Sequence, residues 1–76
     1  MKQVFSFPAT SHVSRGEYTP ASGDTPSELV VQFKGGGIYS YSGVTQDIVD
    51  RLKEAPSPGK VLNAEIKSVF PVRKLA

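Results

Sequence analysis

A chain of 76 residues is one small domain, and burying only roughly 60% of its unfolded surface leaves it a small core. It has no cysteine, which excludes disulfides and thiolate metal sites and makes a cytoplasmic setting the expectation. The net charge of +2 is unevenly spread: residues 1–50 carry three bases against five acids (−2), and residues 51–76 carry six bases (Arg51, Lys53, Lys60, Lys67, Arg73 and Lys74) against two acids (+4).

A basic half on a near-neutral chain points to a polyanionic partner, with lysines merely solvating helix ends and tails as the plainer account. No stretch approaches the roughly 20 apolar residues of a membrane span. The first residues lack the apolar run of a signal peptide, so no membrane association is expected.

Residues 1–10 read as an extended N-terminal arm. Val4, Phe5 and Phe7 suit a short edge strand, and Pro8 limits it. Residues 11–18 read as the first main strand, with Val13 its clearest apolar member. Two prolines, a glycine and small polar residues make 19–27 a loop, long for a hairpin connection.

Residues 28–34 form the clearest strand: Leu29, Val31 and Phe33 share one face, and Val30, Gln32 and Lys34 the other. Gly35, Gly36 and Gly37 then turn the chain into a strand over 38–42, closing a hairpin.

Helical periodicity follows. Ile48, Val49, Leu52 and Ala55 recur at helical spacing, with Thr45 suited to the N-cap, Asp47 in the first turn, and Arg51 and Lys53 near the end. Pro56 ends this helix. Ser57 and Pro58 start another, in which Leu62, Ile66 and Val69 recur until Pro71. The tail, residues 72–76, suits a short final strand. Strands followed by helices predict an α+β domain over residues 11–76: a three-stranded antiparallel β-meander followed by two short helices packed on one face.

Tyr39 and Tyr41 are two apart and so share one face of their strand. Register decides which face. A three-residue loop at 35–37 sets Tyr39 opposite Phe33 and Tyr41 opposite Val31, on the core face. A two-residue loop at 35–36 sets them opposite Gln32 and Val30, on the polar face. Core economics favour the first, because each ring buries about 150–250 Å² and the chain has no tryptophan.

The ordered series Val31-Gln32-Phe33, then Gly37-Ile38-Tyr39-Ser40-Tyr41-Ser42-Gly43-Val44, then Ala55-Pro56-Ser57-Pro58-Gly59-Lys60, then Asn63-Ala64-Glu65-Ile66-Lys67 resembles the KTSC domain. That family is named for its occurrence at the C-terminus of some lysyl-tRNA synthetases, and it also occurs as a stand-alone protein in bacteria and their phages. Its tyrosine, any residue, tyrosine signature is matched by Tyr39 and Tyr41. The resemblance covers about residues 11–75, with a longer loop at 19–27, and it implies RNA binding.

The candidate nucleic-acid contacts are therefore Tyr39 and Tyr41 for base stacking, Lys60, Lys67, Arg73 and Lys74 for phosphates, and Asn63 for a base edge. Each has a structural alternative: core packing for the tyrosines, a solvated face for the bases, a local hydrogen bond for Asn63. His12 has no partners for a metal site or catalytic pair. The triple glycine lacks the Lys-Ser/Thr of a phosphate-binding loop, and no cofactor or catalytic constellation is expected.

The leading reading is a small non-catalytic nucleic-acid-binding module. The alternative is a protein-interaction module, a phage or bacterial regulator docking on a larger machine such as host RNA polymerase through Val4, Phe5 and Phe7. Oligomeric state is not legible.

Overall fold

The computed structural model describes residues 2–7, 12–67 and 69–75. The chain forms five strands, β1 (Gln3–Ser6), β2 (Val13–Thr19), β3 (Glu28–Phe33), β4 (Ile38–Ser42) and β5 (Val72–Lys74), with α1 (Gln46–Glu54) and α2 (Pro58–Val61) between β4 and β5. All five pair antiparallel, in chain order. The α+β class stands, but the sheet has five strands rather than three. The additional ones are the two edges: the arm pairs with β2, and the tail with β4. Both segments suit short strands by sequence, and each takes its place at an edge because a neighbour's free backbone groups await a partner. Pro8 and the expected strand start at Ser11 lie outside the described residues.

Alternation then sorts the side chains. Tyr18 of β2, Leu29 and Val31 of β3, and Tyr41 of β4 point to one face, where Val49 and Leu52 of α1 meet them. Leu29, Val31, Val49 and Leu52 are completely buried. The opposite face carries no helix and reads as polar or half-apolar: Glu28, Val30 and Gln32 on β3, Ile38, Ser40 and Ser42 on β4.

The hairpin register differs in detail from both expected pairings. Val31 faces Tyr39 and Leu29 faces Tyr41. The loop has three residues, but they are Lys34, Gly35 and Gly36: the Gly36 N–H donates to the Phe33 carbonyl (3.0 Å), and the Phe33 N–H to the Gly37 carbonyl (2.8 Å). Gly36 takes φ +98°, the left-handed position at the end of a three-residue hairpin loop. The slip relative to the expected pairing is two residues, so parity is kept and both tyrosines face inward.

Thr45 occupies the N-cap of α1 but makes no side-chain cap bond. The second helix does not run on as a regular α-helix. After α2 the chain widens into a π-helical segment, Leu62–Ile66, marked by a Lys67 N–H donating to the Leu62 carbonyl at 2.7 Å. The wider turn keeps both Leu62 and Ile66 in the core. Arg51 of α1 pairs with Glu65 of this segment at 2.6 Å, joining the two helical pieces at their surface. No helix among the described residues is long and apolar enough to cross a membrane.

Candidate nucleic-acid interface

The tyrosines do not form a stacking platform. Tyr41 is 3% exposed, inside the core. Burial pushes its hydroxyl above the ordinary pKa of 10.0, and the neighbouring Tyr39 pushes it the same way. Tyr39 is half-buried, its ring set edge-on to Phe33 at 5.5 Å and 77°. Tyr18 is buried too and donates its hydroxyl to the Val44 carbonyl at 2.7 Å, an acceptor it shares with Ser27 Oγ at 2.6 Å. The two donors clamp the chain between β4 and α1 onto the β2–β3 connection. All three tyrosines thus serve the core side of the sheet, and no ring among the described residues points to its open face.

The arm residues are also reassigned. Phe5 and Phe7 pack against the core, edge to face with one another at 5.5 Å. Phe5 lies over Gly16 of β2, and Lys53 of α1 sits 5.7 Å from its ring centroid. The Gln3 and Gln46 side-chain amides bond reciprocally at 2.8 and 3.2 Å, tying β1 to α1. Only Val4 of the three expected docking residues is exposed, on the open face.

The basic residues behave differently. Lys60, Lys67, Arg73 and Lys74 are all exposed, and none makes an ion pair among the described residues. Arg51, by contrast, is held by Glu65, and Lys2 and Arg15 flank Glu17 at 3.8 and 3.5 Å. Lys60 and Lys67 belong to the helical layer. Arg73 lies opposite Ser40 on the open face, and Lys74 opposite Tyr39 on the other. The expected contacts therefore do not share one face: two stand on the helical layer and two on opposite faces of β5, all in the C-terminal part of the chain. Asn63 is exposed and makes no side-chain hydrogen bond among the described residues, so the local structural bond expected of it is absent. Exposed acids concentrate elsewhere, with Asp47, Asp50 and Glu54 on α1.

Among the described residues no cluster of three His, Cys, Asp or Glu side chains is placed to hold a metal ion. A cavity of about 390 Å³ opens on the bare sheet face beside β5, between Glu28, Ser40, Ser42 and Arg73. Sequence reasoning passed over the first three. Their signal was the polar face of the hairpin, legible only once the register was known.

The molecule is thus a small α+β domain: a meander sheet with helices on one face and, among the described residues, an open face on the other, with exposed bases in the C-terminal part of the chain. The family model of the KTSC domain matches residues 10–70, and the chain belongs to that family. No curated protein matches it. The matched segment contains β2, β3, β4 and the helices, the three-stranded architecture read from the sequence. Both edge strands come from outside it.

Proposed function

We propose that this chain is a non-catalytic module that binds single-stranded nucleic acid, RNA foremost, by its phosphates. One observation carries this reading: the four exposed bases in the C-terminal part of the chain have no acidic partner among the described residues, while most of the remaining bases are engaged. Free lysines and arginines in one part of the chain are the footprint of a phosphate track, and each neutralised phosphate releases counterions. With the rings turned into the core, affinity rests on charge rather than on stacking.

Titration of a fluorescent single strand at several salt concentrations tests this. Four contacts give a slope of log K against log salt near −2.8, at about −0.7 per contact. Changing Lys60, Lys67, Arg73 and Lys74 together to Gln flattens it. Absent binding at low salt, or binding indifferent to salt, refutes the reading.

A protein-docking role is favoured by a separate observation. Val72 of β5 and Leu75 just after it are 50% and 47% exposed, at a sheet edge where strand addition is open. A nuclease-resistant partner lost on changing Val72 to Glu would favour that role over nucleic acid.

A further inference from the structure

The cleft on the open sheet face has the volume of a ligand site, about 390 Å³ against about 300–1,000 Å³ for such pockets. Glu28, Ser40, Ser42 and Arg73 line it, with Pro26 and Pro71 as apolar walls. The Glu28 carboxylate accepts the Ser40 hydroxyl at 2.6 Å. It makes no ion pair among the described residues, and neither does Arg73. The two opposite charges line one cleft yet stand on strands separated by β4, and Arg73 lies opposite Ser40, the residue whose hydroxyl Glu28 accepts. A ligand that met both would offer donors to the carboxylate and an anion to the guanidinium.

The wall is held in place before any ligand arrives. Ser22 and Thr25 exchange backbone hydrogen bonds of 3.0 and 2.9 Å, and Ser27 is fixed through the Gly43 N–H at 2.9 Å. The long β2–β3 loop and the start of β5 supply most of the walls, and β5 lies beyond the family match.

An unpaired carboxylate beside a phosphate track repels a polyanion unless it accepts from a base. An ionised carboxylate can only accept. Guanine sets two donors side by side on its pairing edge, N1–H and the 2-amino group. Adenine and cytosine set a ring acceptor beside their amino group, and uracil flanks one N–H with two carbonyls. We propose that this cleft selects guanine: Glu28 takes its pairing edge, the two prolines flank the ring, and Arg73 takes the phosphate. The inference rests on the nucleic-acid reading above and names the base that it selects.

The test titrates the full chain with labelled U8, and with the same strand carrying one central guanine, using guanosine and uridine monophosphates as competitors. The guanine strand binds about tenfold tighter. Glu28→Gln removes that preference, so that the two strands bind alike, and its thermal melt reports folding. Ser42→Ala, outside the Glu28–Ser40 bond, is the second variant and reduces the preference partially. Guanosine monophosphate displaces the guanine strand and uridine monophosphate does not.

Equal, salt-dependent binding of both strands overturns the cleft assignment and leaves the phosphate reading standing. A guanine preference that survives in a folded Glu28→Gln protein also overturns it. If neither strand binds but guanosine monophosphate does, through Glu28, the cleft stands as a free-nucleotide site and the nucleic-acid reading falls. If nothing binds, both fall.

Discussion

Gly16 is where the edge strand is coupled to the rest of the sheet. A Cβ there would lie 2.5, 2.8 and 3.3 Å from three carbons of the Phe5 ring. Carbon atoms rest at about 3.5–4.0 Å, so Gly16→Ala forces an overlap of about 1 Å. The ring cannot move away freely: Phe7 abuts it, and Lys53 lies over it.

Overpacking of this kind costs about 1–3 kcal/mol. Replacing a strand glycine otherwise recovers about 0.5–1 kcal/mol of backbone entropy. The net loss is therefore about 0–2.5 kcal/mol, out of a total of about 4–11 kcal/mol for a chain of this length. With Phe5→Ala already in place the overlap is gone, and the same Gly16→Ala change stabilises. Urea denaturation of the four proteins of the cycle measures this, since 1 kcal/mol moves the midpoint by about 1 M at a slope near 1 kcal/mol/M. A Gly16→Ala cost that is the same in both backgrounds refutes the account of Phe5 as the lid over Gly16.

Three further outcomes are expected. Tyr18→Phe and Ser27→Ala each leave Val44 O one donor and cost about 0.5–1.5 kcal/mol, whereas the double variant costs more than their sum because the buried carbonyl is left unpaired; additive denaturation midpoints refute the shared clamp. Tyr41 has a raised pKa in the fold, so the unfolded chain loses that proton first as pH rises. Its contribution is intact below about pH 10 and is lost as pH climbs through the folded value, and Tyr41→Phe makes the alkaline loss of stability shallower in pH-dependent melts. Val4→Ser, on the open face, changes stability by less than about 0.5 kcal/mol, whereas Phe5→Ala costs about 2–3 kcal/mol. Equal thermal shifts for the pair would return the arm to the role of a free docking segment.

The sequence by itself determined the parts whose chemistry is local. Alternation in residues 28–33 marked β3 and its buried face, because one strand face must be apolar to cover a core. The Ala55-Pro56-Ser57-Pro58 run separated the helices, since proline removes a donor and restricts its neighbour. The spaced tyrosines and the ordered motifs around them placed the chain in its family. Inward tyrosines were legible from burial economics, although the pairing was off by two residues; glycine position within a triple glycine is a matter of backbone angles that residue identity does not distinguish.

Only the tertiary structure decided the edges and the cleft. β1 and β5 take the edges because β2 and β4 present unpaired backbone groups; residues 3–6 and 72–74 suit short strands by sequence, but which neighbour each pairs with is decided by the fold. Phe5 went to the core rather than to a partner because Gly16, eleven positions away, leaves it room. Glu28, Ser40 and Arg73 come together because three strands bring one face into register. Their separation along the chain hid an arrangement in which an acid, a hydroxyl and a base line the same space.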